Sequence, residues 1–244
     1  VGRPRSASRV ANGGAPLSSR SVRRHGERMD PWPPEKLTVA LSELEKLDAE
    51  FMTLGKQMLA EETYVTDIFM AALLNRGLQL LHGFMLLVRN EHFVSAAPFV
   101  RLQIDNCCRH FAGTLVVSAD ELTMQLMEGQ RLDKLVDRDG KNMTDAYLLE
   151  RLAEVAQEPW LRPAYEKASG FVHFSGAHIF ATTQANPEDR TIALRIYRKE
   201  ANVPEALWVE LVEAFGAATG LLLRLTAGWV AQKEEEREEK RRDA

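Results

Sequence analysis

The stretch 33-PPEKLTVALSELEKLDAEFMTL-54 decides the fold class. Leu37, Leu41, Leu44, Leu47, Phe51 and Leu54 recur at steps of three and four, which lays them along one side of an α-helix. Pro33-Pro34 suits its opening, because a fixed φ and a missing N–H are no handicap in a first turn. Working outward, a helix is expected from about Glu62 to Arg89, denser in apolar residues and therefore more central. A third spans 93–117, with Pro98 close enough to its start to be tolerated. Shorter helices are expected at 119–128, 144–157 and 161–174, and a long final one from Glu205 to about Arg237. Asp137-Arg-Asp-Gly-Lys-Asn142 reads as a turn with Gly140 free to take positive φ, and it lacks the glycine spacing of a calcium loop. Ile179–Gln184 and Thr191–Tyr197 are rich in β-branched and aromatic residues and flank Asn186-Pro-Glu-Asp189, which predicts a β-hairpin. The fold class is therefore mainly α: a single helical bundle of six or seven helices with one small hairpin at about 179–197.

With 244 residues, 45% hydrophobic and 27% charged, the composition excludes disordered, collagenous and disulfide-scaffold classes. The net charge of −4 conceals a split, since residues 1–28 hold seven Arg against one Glu and the remainder carries about −10. An acidic body argues against a broad nucleic-acid surface, which needs clustered Lys and Arg to neutralise phosphates. The arm 1–28 is rich in Arg, Ser, Gly and Pro and reads as disordered. Met29 is the first methionine, so the arm is expected to be upstream sequence translated from a misplaced start, with an Arg- and Ser-rich transit peptide as the alternative. The domain then runs 29–232, and 233–244 is a charged run, both signs interspersed, expected to extend the last helix into solvent.

Cys107 and Cys108 are adjacent, which is neither a zinc spacing nor a comfortable disulfide, so reduced thiols in a cytoplasmic protein are expected. Ala214–Ala231 approaches membrane length and contains Gly216-x-x-x-Gly220. Arg224 at its middle is expensive in lipid, so the expectation is a buried bundle helix that another helix approaches closely, with no membrane partner.

Two polar stripes interrupt the apolar helices. Arg101, Asp105 and Arg109 lie at i, i+4, i+8 on one face of the third helix, where one carboxylate can accept from both guanidiniums and leave spare donors for a phosphate or carboxylate. The bland reading of this stripe is a salt-bridged face. Tyr165, Ser169 and His173 repeat the spacing, and Ser175 and Gly176 are expected to end the helix so that His178 can converge with His173. Two imidazoles beside a phenol and a hydroxyl suit acid–base chemistry near neutral pH, or simply a satisfied helix crossing. No Glu-x-x-His occurs, so a di-iron bundle is unsupported, and neither metal nor cofactor is expected.

A third polar face is made by Asn75, Gln79 and His82. Here Arg76-Gly-Leu-Gln-Leu-Leu-His82 resembles the R-x(4-6)-H element of the HEPN family of helical ribonuclease toxins, over seven residues and with Gly77 where those motifs usually place a polar residue. The run Pro98-x-x-Arg101-x-x-x-Asp105-x-x-x-Arg109, then Asp139-Gly-Lys-x-x-Thr-Asp145, then Tyr165-x-x-x-Ser169-x-x-Val172-His-Phe-Ser175-x-x-His178 is similar to a group of bacterial helical proteins in which an Arg-bearing helix is later followed by a Y-x-x-x-S-x-x-x-H element, and which are sometimes likened to HEPN-type or abortive-infection proteins. That resemblance covers roughly residues 60 to 180 and implies a fold and a site location rather than a reaction.

Three functions are compatible with these residues. The first is a helical protein of bacterial stress or phage defence that binds a small ligand or nucleotide, with Arg101, Asp105, Arg109, Tyr165, Ser169 and Ser175 lining the cleft. The second is a metal-independent ribonuclease-like enzyme in the same cleft, with His173 or His178 as catalytic base and an arginine on the phosphate. The third is a non-catalytic interaction module in which the stripes are buried polar glue. The expected partners are a phosphate-bearing small molecule and a second copy of the chain.

Overall fold

The computed structural model describes residues 31–59, 63–186, 191–194, 196, 198–200 and 203–242. The expectations for the basic arm 1–28 lie outside the described residues. Eight α-helices follow in order: α1 Glu35–Met58, α2 Val65–Arg89, α3 Phe93–Leu115, α4 Ala119–Met127, α5 Asp145–Val155, α6 Leu161–Val172, α7 Gly176–Thr182 and α8 Glu205–Arg242.

Four of these form the bundle. Around the ring, α1 packs on α2, α2 on α3, α3 on α8 and α8 on α1, while α5 and α6 lean on α3 and α4 leans on α2. The core follows from the periodicity: Leu37, Leu41, Leu44, Phe51 and Met58 of α1 are buried, and Leu47 and Leu54 pack at its edge. Phe84 of α2 stacks on Phe215 of α8 with ring centroids 4.1 Å apart, at the centre of the bundle. Two glycines permit the close crossings. A Cβ at Gly77 would overlap Leu222 and lie 3.0 Å from Phe51, and one at Gly216 would lie 3.1 Å from Leu44. Gly216 thus has the expected role in helix approach, whereas a Cβ at Gly220 would meet only Arg224, at 3.7 Å.

Helices α2 and α8 are both long and apolar enough to cross a membrane by length and composition alone. In the bundle 39% of the apolar window of α2 and 50% of that of α8 are buried against neighbouring elements.

The turn at 137–142 is built around one side chain. Asp137 Oδ1 accepts from the backbone N–H of Asp139 and of Lys141, both at 2.9 Å, and Gly140 takes φ +76°. Tyr147 on α5 donates to Asp137 Oδ2 at 2.5 Å, fastening the turn to the next helix.

Two expectations are corrected. Residues 179–182 belong to α7 rather than to a strand, because the Gly176–Thr182 turn continues through them. Extended backbone begins only at β1 Thr183–Asn186, which pairs antiparallel with β2 Thr191–Leu194 in the register Thr183↔Leu194, and residues 187–190 with most of the expected turn lie outside the described residues. The second correction concerns Lys233, read from sequence as the first residue of a solvated tail. It is 2% exposed and paired with Asp67, which is fully buried. Beyond it α8 does run on with exposed charges to Arg242.

Candidate functional site

Helix α3 carries an unusual load of buried polar groups, and most are committed to holding helices together. Gln103 Nε2 donates to Thr219 Oγ1 of α8 at 3.1 Å, Asn106 Nδ2 to the Leu73 carbonyl of α2 at 2.9 Å, and Cys107 Sγ to the Ala218 carbonyl at 3.3 Å. Both cysteines are free and buried, and burial pushes the Cys108 thiol up to about 12. His110 is not among them, being buried with neither ring nitrogen hydrogen-bonded.

One residue round the helix, the predicted stripe comes out between α3 and α6. Arg101 and Arg109 flank Asp105 at 3.9 and 3.8 Å, and Arg109 reaches Asp145 in the first turn of α5 at 3.6 Å. Those separations are electrostatic contact without hydrogen bonding. Asp105 is 8% exposed and its Oδ1 has no hydrogen-bond partner. Burial, helped by the neighbouring Asp145, raises its carboxyl above the usual aspartate range even though Arg109, Arg101 and Arg76 oppose the shift.

The second stripe meets the first in direct contact. The Arg101 guanidinium lies 4.8 Å from the centroid of the Tyr165 ring and donates to His173 Nε2 at 3.4 Å. Burial and the neighbouring Asp105 raise the Tyr165 phenol. His173 is the C-cap of α6 and exposed. The other predicted members turn elsewhere. Ser169 Oγ donates to the Tyr165 carbonyl of its own helix at 2.7 Å, and Ser175 Oγ to the Gly170 carbonyl at 2.5 Å. His178 Nδ1 accepts from the Ser175 N–H at 3.3 Å, and its ring stacks on Phe174 at 5.5 Å, so the two imidazoles answer to different partners.

Arg76 and Asp145 join Arg101, Asp105 and Arg109 in the cluster, two residues outside the stripes read from the sequence. Arg76 donates from α2 to Asn106 Oδ1 at 3.0 Å and to the Leu102 carbonyl at 3.4 Å, and burial followed by Arg109 lowers its guanidinium. The signal for Arg76 was the Arg76 to His82 element beside the polar face of Asn75, Gln79 and His82 on an otherwise apolar helix. His82, six residues on, points to α1 instead and meets Asp48 at 2.7 Å. Among the described residues no group of three or more His, Cys, Asp or Glu side chains is placed to hold a metal.

No protein-family model, curated protein or solved structure matches the chain.

Proposed function

We propose that the chain binds a small molecule bearing a phosphate or carboxylate, a nucleotide being the first class to test, at the junction of α2, α3, α5 and α6. The observation that carries this reading is three guanidiniums, Arg76, Arg101 and Arg109, gathered around one buried carboxylate that hydrogen-bonds to none of them. Among the described residues Arg101 is engaged by His173 and the Tyr165 phenol, and Arg109 donates to the Asp105 carbonyl, which leaves N–H donors of both guanidiniums for a ligand. A ligand with two or three anionic oxygens is the group that such donors accept best. A place in bacterial stress or phage defence rests on the HEPN-like resemblance.

Adding ATP or inorganic phosphate in large excess should raise the melting temperature of the wild type. At a hundredfold excess over the dissociation constant the gain is about 2.7 kcal/mol, or roughly 5 to 10 °C for a domain of this size. Arg101→Ala and Arg109→Ala should abolish the shift, and Arg151→Ala, which removes an exposed pair with Glu154, should keep it. Equal shifts in all four proteins, or none, would refute the site. His173 supports the second reading, ribonuclease-like cleavage, because an exposed imidazole touches Arg101. RNA cleavage unchanged in His173→Ala and His178→Ala would eliminate it.

A further inference from the structure

On the apolar side of the same helix pair, α3, α6 and α8 leave a cavity of about 160 Å³. Its cause is readable in the residues. Ala97 on α3, Ala164 and Ala168 on α6 and Ala214 on α8 all line it, and four methyl side chains leave the space that larger side chains would fill. The cavity opens to solvent on one side, and its mainly apolar lining gives water few hydrogen-bonding partners within it. One wall is aromatic. Phe93 meets Phe171 edge-on at 5.9 Å and 76°, and meets Trp208 at 5.0 Å and 88°. The mouth is spanned by Lys167 and Glu210, paired at 2.5 Å and more than half exposed on both sides. An exposed pair of this kind is weak, so it can part to admit a molecule and close behind it.

We propose that this cavity is a second binding site, distinct from the arginine cluster and independent of it, for a small neutral aromatic molecule. The size sets the class: an engineered apolar cavity of roughly 150 Å³ in another protein holds benzene, so a single six-membered ring with a short substituent is the fit. The wall adds preference for an aromatic ring, because Phe93 and Phe171 already sit in the edge-to-face geometry that a third ring can extend. A charged ligand is disfavoured, since the lining offers it no uncommitted cation: the ammonium of Lys167 is held by Glu210.

Toluene near its aqueous solubility is the probe. It should raise the wild-type melting temperature by about 3 °C, the shift expected when a ligand reaches some ten times its dissociation constant. Ala168→Leu, which fills the void, should reduce the shift to within error. Ala71→Leu, in the separate hollow between α1 and α2, should leave it intact. Should Ala168→Leu fail to fold, amide chemical shifts of the wild type decide the matter. Toluene-induced changes centred on Ala97, Ala168 and Ala214 support the site. Changes centred on Phe51 and Leu74 of the α1–α2 hollow, no shift in the wild type, or an undiminished shift in Ala168→Leu would overturn it.

Discussion

Replacing Lys233 by Met should destabilise the protein far more than any change in the charged run that follows it. Lys233 Nζ lies between Asp67 Oδ2 and the Met58 carbonyl, 2.9 Å from the latter, and 5.1 Å from the centroid of the Tyr64 ring. The side chain thereby ties the end of α1 and the start of α2 to α8. Methionine fills much the same volume without the charge, so the loss is electrostatic: a carboxylate at 0% exposure is left without its cation. Stripping one partner from a buried pair typically costs 3 to 5 kcal/mol. Asp67 keeps two hydrogen bonds, from Tyr64 N–H at 2.8 Å and Trp229 Nε1 at 3.0 Å, which places the cost at the lower end, about 3 kcal/mol. For a domain of this size that corresponds to a fall in melting temperature of roughly 6 to 12 °C. Urea unfolding followed by circular dichroism at pH 7 measures it. The double variant Asp67→Asn/Lys233→Met should recover part of the loss, because the amide buries no charge, although its single oxygen can accept from only one of the two donors, Tyr64 N–H and Trp229 Nε1. Glu236→Ala, which removes only an exposed hydrogen bond with Gln232, should stay within about 0.5 kcal/mol of wild type. A Lys233→Met protein within 1 kcal/mol of wild type, or a double variant no better than the single, would refute the reasoning.

Acid sensitivity should centre on His110, which is 2% exposed and whose pKa burial lowers from 6.5 to about 4. A depressed pKa means that the unfolded chain takes up the proton first. The neutral ring's contribution is therefore complete above about pH 6.5 and lost as the pH falls towards 4, a loss of about 3 kcal/mol at 1.36 kcal/mol per unit. His110→Leu should flatten that part of the stability profile without weakening the protein at pH 7.5, and parallel profiles for the two proteins would contradict the assignment. Among the glycines of the bundle, Gly77→Ala should cost 1 to 3 kcal/mol despite alanine's better helix propensity, because its Cβ collides with Leu222 and crowds Phe51. Gly228→Ala meets nothing within 4 Å and should gain up to about 1 kcal/mol. Denaturation midpoints that move together for the two glycines would show that packing does not decide their sign.

The long helices were legible from the three- and four-residue period of α1 and from long apolar stretches elsewhere: α1, α3 and α8 begin within two residues of where Leu37, Phe93 and Glu205 suggested. The stretch 179–182 was misread because Ile, Phe and Thr favour strands only weakly, and the chain leaving α6 reverses at Ser175-Gly176 into another helical turn. Lys233 was illegible for a different reason. Its neighbours in sequence are all charged, and nothing local announces that Asp67, 166 residues earlier, waits across the bundle. In the candidate site, the i, i+4, i+8 spacing found Arg101, Asp105 and Arg109 because helical geometry is local. That Arg76 and Asp145 join them depends on how α2 and α5 pack on α3, which no spacing within one helix encodes.

Open distances combined with burial mark the arginine cluster. Arg131 grips Asp133 with two bonds of 2.9 Å and Arg224 meets Glu158 at 2.5 Å, whereas the looser pair Arg242–Glu238, at 3.9 Å, is exposed on both sides. Around Asp105 the arginines stand off at 3.8 and 3.9 Å, and Arg109 to Asp145 is 3.6 Å. The cluster is also unbalanced, with three guanidiniums against two carboxylates, and one carboxylate oxygen is buried with no donor. A structural salt bridge optimised for stability alone would close these gaps, since buried charge is costly until it is hydrogen-bonded. Open donors, excess positive charge and partial exposure of Arg109 are instead the features that an incoming anion would complete, and an anion settling there would push the already raised Asp105 carboxyl further towards its neutral form.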